Sequence, residues 1–377
     1  MKINLRALAT AVTLLTPCAA LAEGEIAAPT PAPVEIAAPA IAAPPPEAPK
    51  AKAAEIKLSL LTFFGYTYVV AGEDKDGKGA QLKNKNGFNL DRAYINVEPK
   101  FDEHWSGRLT TDIQAPGATD KNYSLRVKFA YIDGQKLGDS TCGTRIGVLQ
   151  TPFTDAPDKA FGFRVIAKPL LDQYKVQATA DLGAQGSYGW NGGELRLFVL
   201  NGEGYERVET TQGKDFALQV NQKLADGLNL SLGGLYGTFL GGESGFWGTT
   251  AGTPQRFAHR MLGQLFLSYA GSSFRTGLEA DFVNAKIEKA KDARSTLGVS
   301  LYGVVQIDDK NEIPIRVQRF DPDTGDKFSK KDEAMDVLVG YGYGFANGLR
   351  VVPNVQAQKV GDAKATITAG VNFEAKL

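Results

Sequence analysis

From Ile56 to the carboxyl end the sequence alternates with a period of two residues, and this feature constrains the fold more than any other. In 56–70 the even positions read Ile56, Leu58, Leu60, Thr62, Phe64, Tyr66, Tyr68 and Val70, while the odd ones include Lys57, Ser59, Gly65 and Thr67. In 104–114 Trp105, Gly107, Leu109, Thr111 and Ile113 alternate with Ser106, Arg108, Thr110 and Asp112. In 123–131 Tyr123, Leu125, Val127, Phe129 and Tyr131 alternate with Ser124, Arg126, Lys128 and Ala130. A helix, with about 3.6 residues per turn, would scatter both sets around its axis, whereas a strand puts each set on one face.

Applied along the chain, the alternation predicts sixteen strands: 56–70, 87–100, 104–114, 121–134, 142–150, 180–190, 193–201, 213–223, 227–239, 256–270, 272–286, 294–307, 311–321, 333–345, 348–358 and 363–377. Connections after even-numbered strands are mostly tight turns, such as Asn191-Gly192 and Ala346-Asn347. Those after odd-numbered strands include the long stretches 71–86, 151–179, 202–212, 240–255 and 322–332. Short turns on one side and long loops on the other, with an even strand number, fit an all-β, transmembrane antiparallel β-barrel over 56–377, closed without a free edge. Sixteen strands enclose too wide a lumen for side chains to fill as a soluble core, so the apolar face is expected to meet outer-membrane lipid. Aromatic residues on that face fall near strand ends, with Trp105, Tyr131, Trp190, Tyr269 and Phe274 on the turn side and Tyr66, Tyr68, Tyr123 and Phe282 on the loop side, as interfacial girdles require. Val371, Phe373, Ala375 and Leu377 carry the alternation to the last residue.

Two segments precede the barrel. Residues 1–22 place Lys2 and Arg6 before an apolar stretch too short to span a bilayer and end in Ala20-Leu21-Ala22, which predicts a signal peptide for export. Pro17 before Cys18 speaks against a lipoprotein site. Cleavage after Ala22 would leave Cys142 as the only cysteine, hence no internal disulfide. Residues 23–55 are almost wholly Ala, Pro, Ile and Glu and repeat EIAAP at 25–29 and 35–39 and AIAAP at 40–44. Such a Pro/Ala-rich linker buries no core and is expected to be disordered. Fully extended, it could reach on the order of 100 Å, far enough to touch the cell-wall layer.

The stretches GFNLDRAYINVEPKFDEHWSGRLTTDIQ (87–114), GTRIGVLQTPF (143–153), ADLGAQGSYGWNGGELRLFVLNGEG (180–204) and the RFDP turn (319–322) resemble the phosphate-selective porin (O and P type) family within the wider sixteen-stranded porins. The resemblance covers most of the first half of the barrel. It implies a homotrimeric channel whose third external loop folds into the lumen and narrows it. It does not fix the solute, because members of the family pass different ones.

On the strand phases, the bases expected to line the pore are Arg92, Arg108, Arg126, Lys128, Arg145, Arg196, Arg275, Arg316 and Arg350. Five of these nine fall on the second to fifth strands, where the inward acids are expected to be only Glu98 and Asp112, so one wall should be locally basic. The segment 151–179 occupies the third-loop position and is the candidate constriction loop, carrying Asp155, Asp158, Lys159, Arg164 and Lys168, followed by Asp172 and Lys175. Acids turned toward the wall would set up a transverse field for dipolar solutes, whereas Lys159, Arg164 and Lys168 turned toward it would make an anion site. The aspartates argue against strict phosphate specificity.

Other chemistries are poorly provided for. The 42 basic and 42 acidic residues balance, which speaks against a nucleic-acid partner. His104 and His259, the chain's two histidines, have no partner at metal-ligand spacing, and no cofactor is expected. The run Asp321-Pro322-Asp323-Thr324-Gly325-Asp326 lacks the order of a helix-loop-helix calcium loop, and GYGYGFANG (340–348) has no following helix to make it a phosphate cradle. The expected function is a passive diffusion channel for small hydrophilic solutes and ions, with an anion preference open, and no enzyme. A barrel hydrolase would need a serine, a histidine and an acid or amide on one outer wall, and Ser106 beside His104 faces the lumen instead. A structural or adhesion barrel tethering envelope layers through 23–55 is the alternative.

Overall fold

In a computed structural model the described residues are 54–72, 83–114, 122–137, 141–206, 212–237, 240–241, 255–287, 292–326 and 332–377. The signal peptide expected over 1–22 and all but the last two residues of the linker expected over 23–55 fall outside them; Glu55 already belongs to the first strand. The strands are β1 (Glu55–Ala71), β2 (Asn86–Lys100), β3 (Trp105–Gln114), β4 (Ser124–Gln135), β5 (Cys142–Gln150), β6 (Ala180–Trp190), β7 (Gly193–Leu200) and β8 (Asp215–Ala225). They continue as β9 (Leu228–Gly237), β10 (Gln255–Ala270), β11 (Phe274–Ile287), β12 (Arg294–Gln306), β13 (Asn311–Asp321), β14 (Ala334–Gly340, resuming at Gly342–Ala346), β15 (Leu349–Val360) and β16 (Thr366–Lys376). Beyond β9, Leu240–Gly241 pairs with Arg256 and Gln255.

Each strand pairs antiparallel with its sequence neighbours, and β16 returns to β1, so the sheet closes into a sixteen-stranded barrel. The seam runs from Ala71 opposite Ile367 to Leu61 opposite Lys376, and is finished by Leu60 and Leu377 exchanging backbone bonds of 2.9 and 3.0 Å. Turn chemistry fixes the short connections. Asp102 accepts the backbone N–H of His104 and of Trp105 at 2.8 and 2.7 Å, and these bonds hold its carboxyl below the usual range. Asp308 does the same for Lys310 and Asn311, with the same effect.

The faces separate as an apolar exterior and a polar interior. In β8 Asp215, Ala217 and Gln219 are buried while Phe216 and Leu218 are exposed. Large apolar side chains such as Leu58, Ile146, Leu197 and Leu301 stand exposed on the outside, a surface that only lipid can satisfy. Gln264, Asp281, Ser300 and Gln318 are buried on the inside.

The alternation misleads where strands bulge. In the β1–β2 pair Arg92 lies opposite Phe63 but Leu90 lies opposite Phe64, so Asp91 is an extra residue, and Phe88 faces outward although Arg92 faces inward. Thr110 lies opposite Phe129 but Thr111 lies opposite Val127, so Lys128 is the extra residue of a β-bulge. Phase reverses there: Leu125 and Val127 point outward as expected, but Phe129 is buried inside, Tyr131 turns to the lumen, and Ile132 takes the lipid face. Tyr131 therefore does not belong to the turn-side girdle, and Asp133 joins the inward acids of the basic wall. In β14 the ladder breaks at Tyr341, whose N–H donates to the Pro353 carbonyl at 2.9 Å while proline has no N–H to return, but the faces keep their alternation across the break. At Gly147, φ is 129° and a Cβ would collide with the Ala130 carbonyl, so the β4–β5 pairing needs glycine at that point.

Candidate functional site: the lumen constriction

The segment 151–179 lies inside the barrel. It forms two short helical turns, α1 (Asp155–Phe161) and α2 (Leu170–Gln173). Gly162 ends α1 in the left-handed region (φ 72°), its N–H bonded to the Asp158 carbonyl at 3.0 Å. Phe153, Phe163, Leu170 and Leu171 are almost completely buried, the first, third and fourth in one apolar cluster with wall residues Phe198, Leu235 and Phe320. Phe163 sits in a second cluster with Phe161, Phe266, Tyr302 and Val352. Each such side chain contributes about 2 kcal/mol by leaving water.

Polar bonds complete the anchoring along β10 to β15. Arg275 donates to the Phe161 carbonyl at 3.3 Å, Arg350 to Gly162 at 2.8 Å, Gln356 to Ile166 at 3.0 Å and Arg316 to Lys168 at 2.6 Å. Further up, Arg316 also donates to the Gln173 amide oxygen at 2.9 Å, Tyr174 bonds Asp336, and Arg260 donates to Val176 at 3.1 Å. Three of the nine predicted pore-lining bases, Arg275, Arg316 and Arg350, thus face inward but are engaged in holding the loop. Arg275 and Arg350 also meet Glu312, at 2.6 and 3.4 Å, and Arg350 meets Glu374 at 3.1 Å. The alternation puts Arg260, Glu312, Asp336 and Gln356 on inward positions too, but nothing local marks them as loop anchors.

On β2 to β5 the other inward bases lie over aromatic rings. Arg92 stacks on Tyr94 (4.4 Å) and Phe63 (5.5 Å), Arg108 on Phe129 (4.8 Å), Arg145 on Tyr131 (4.3 Å), and both Arg126 (5.0 Å) and Lys128 (4.1 Å) on Tyr205. Several are paired. Arg126 is bridged by Asp112 at 3.3 Å and by Glu206, Arg145 by Asp133 at 2.9 Å, and Arg108 lies 3.8 Å from Glu98. Arg92 and Lys128 have no carboxylate within ion-pair distance among the described residues; Lys128 bonds the Thr179 hydroxyl. Arg196, toward the turn side, pairs with Glu194 at 2.6 Å.

The loop presents charges of both signs to this wall. Asp158, at 3.3 Å, and Asp172 grip Arg164 between them. Arg164 and Asp172 lie within electrostatic range of Lys128, and Asp158 within range of Arg92. Burial pushes the Asp158 carboxyl above the usual aspartate range, against the pull of Arg164 and Arg92. Lys159 is exposed and pairs with Asp155 one turn earlier in α1, at 2.7 Å, and Lys168 is exposed. Of the three loop bases, Arg164 is the one brought to the β2–β4 wall, and it arrives with two acids.

Among the described residues no group of acidic, histidine or cysteine side chains is arranged to hold a metal ion. The His104 ring lies 3.2 Å from the Gln135 carbonyl, and His259 lies 3.1 Å from the Asn284 amide oxygen.

No protein-family model and no curated protein matches the sequence. Solved structures do share the fold. The chain is similar to an anion-selective porin from Comamonas acidovorans (TM-score 0.62, 11% identity, covering 86% of this chain and 100% of that one). It is similar to OmpT, an outer membrane protein of Vibrio cholerae, in its trimer form (0.60, 11%, 86% and 100%), and to OprB of Pseudomonas putida (0.57, 12%, 86% and 94%). The fold is that of the outer-membrane porins.

Proposed function

We propose that the protein is a porin of the bacterial outer membrane, a passive diffusion channel for small hydrophilic solutes and ions with a weak preference for anions. The observation that carries this reading is the passage of 151–179 through the lumen, which puts Asp158, Arg164 and Asp172 opposite Arg92 and Lys128. Fixed charges at a narrow point act on permeating ions at close range, where water screens them least. Arg92 lacks a carboxylate partner among the described residues and favours anions, while the acids on Arg164 temper that preference. For this reason we read the channel as weakly selective, and strict phosphate specificity, which the resemblance to phosphate-selective porins would suggest, is not adopted. Residues 1–22 then serve as the export signal, 56–377 as the porin domain and 151–179 as its constriction loop. Three barrels associate, as in the trimer form of the Vibrio cholerae protein.

Single-channel conductance and reversal potential in a planar bilayer under a KCl gradient test the reading. Unitary steps with a reversal potential displaced toward chloride are expected. A folded, heat-modifiable barrel without conductance would overturn it in favour of the tether reading, for which the Ala/Pro-rich arm at 23–55 is the motivating feature. Deleting 23–55 is expected to leave conductance intact; a change confined to envelope integrity would assign the tether role to the arm alone.

A further inference from the structure

Below the constriction, on the turn side, the lumen has a second sector with a chemistry opposite to that of the basic wall. A cavity of about 520 Å³ opens there, bounded by α1 and by β7 to β12. Its floor is apolar, made by Ala156 and Ala160 of α1 with the rings of Phe266 and Tyr302 behind them. Its sides are neutral hydrogen-bonding groups: Asn221 of β8, Asn229 and Ser231 of β9, and Ser268 of β10. Charges stand at its margin, in Lys159, Lys223, Glu194 and Arg275. All four are engaged elsewhere, Lys159 with Asp155, Lys223 with Asp226, Glu194 with Arg196 and Arg275 with Glu312.

One observation marks this sector out from the rest of the wall. The Asn221 and Ser268 side chains, half-buried and both lining the cavity, have no protein hydrogen-bond partner among the described residues. The Tyr302 ring lines it as well, with its hydroxyl buried behind the ring. Asn221 and Ser268 are thus standing donors and acceptors for something that enters. The volume is that of a small-molecule site, and the lining, apolar below and amide and hydroxyl at the sides, matches a solute with a C–H face and O–H edges. An inorganic anion has no use for the apolar floor. A cation would find only one carboxylate, already held by Arg196.

We infer that this sector is a binding subsite for a neutral polyhydroxylated solute of monosaccharide size, so that the channel carries sugars in a saturable manner beside its unsaturated ion flux. The ring lies against α1, and Asn221, Asn229, Ser231 and Ser268 exchange hydrogen bonds with its hydroxyls. This inference rests on the porin reading, since the subsite is reached only through an open lumen.

Glucose is the probe. In a planar bilayer in symmetric KCl, it is added to one side at a time while current noise is recorded through the conducting protein. Excess noise that rises and saturates with glucose is expected. It should be weakened about five-fold in half-saturating concentration by Asn221→Leu with Ser268→Ala, as loss of two hydrogen bonds implies. Ser268→Ala alone, which keeps the strand's shape, should give an intermediate loss. A conducting channel whose current falls only with bulk conductivity, or whose glucose noise is the same in these variants, overturns the subsite and leaves the porin reading standing. Absence of unitary steps overturns both.

Discussion

The Arg350 guanidinium donates to the Gly162 carbonyl at 2.8 Å across a sequence separation of 188 residues, while its ring-facing side lies 4.2 Å from the centre of Phe163. One side chain on β15 therefore fixes both the last turn of α1 and the aromatic residue after it, and with Glu374 and Glu312 it ties them to the adjacent β16 and to β13 beyond β14. The position of the loop in the lumen depends on bonds of this kind, made from β10 to β15.

Replacing Arg350 by alanine is expected to loosen the loop without closing the channel. The variant should lose about 2 kcal/mol of stability, because Glu312 and Glu374 lose a charged partner and the Gly162 carbonyl a charged donor. A lower temperature for the heat-modifiability shift, together with flickering unitary current, is the expected result. An unaltered transition temperature would mean that the apolar clusters alone hold the loop.

Selectivity should respond oppositely to changes on the two sides of the constriction. Arg126→Ala leaves Asp112 and Glu206 uncompensated and is expected to lower the chloride-to-potassium permeability ratio about two-fold, whereas Asp158→Asn with Asp172→Asn should raise it by a similar factor. Reversal potentials in one KCl gradient check both. Shifts of the same sign would rule out the opposed arrangement of charges as the origin of selectivity.

The raised affinity of Asp158 for its proton gives a pH dependence of definite sign. As pH falls, this carboxyl is neutralised before an ordinary aspartate would be, Arg164 keeps only Asp172 as counter-charge, and the lumen becomes more positive. Chloride preference should therefore increase on acidification, beginning above the ordinary aspartate range, and the early phase should vanish in Asp158→Asn. A profile identical in that variant would assign the titration to another group.

The bulge at Lys128 makes a prediction about accessibility. In a Cys142→Ser background, Tyr131→Cys should react with a water-soluble thiol reagent supplied to the lumen, and Ile132→Cys should not, since it faces lipid. The reverse pattern is what uninterrupted alternation through β4 would produce.

How far the sequence could be read follows from these same residues. In β8 and β12 the alternation runs without a break, and inside and outside are legible residue by residue. In β4 it stops being legible at Lys128, because the bulge inserts one residue without changing composition: Phe129 and Tyr131 are as apolar as a lipid-facing pair should be, and only the partner strand reveals the slip. The nine bases occupy inward positions of their strands. Yet alternation says only that a side chain turns inward, and whether it then meets solute or loop is decided by residues such as Lys168, which lies 148 positions from Arg316. The turn-side sector left even less trace. Asn221, Asn229, Ser231 and Ser268 carry no charge and no spacing signature, and they become a group only when three strands stand side by side.

The seam between β1 and β16 has a consequence for how the chain is made. Its two sides come from opposite ends of the described sequence, so β1 leaves the synthesis machinery first and waits for its partner until every other strand has followed. Loop-closure entropy grows only slowly with such a separation, so the delay costs time more than stability. Throughout that interval β1 offers a bare row of N–H and C=O groups to any other chain. A polypeptide interrupted before Thr366 is consequently left with two open edges and is a template for aggregation, not a narrower pore.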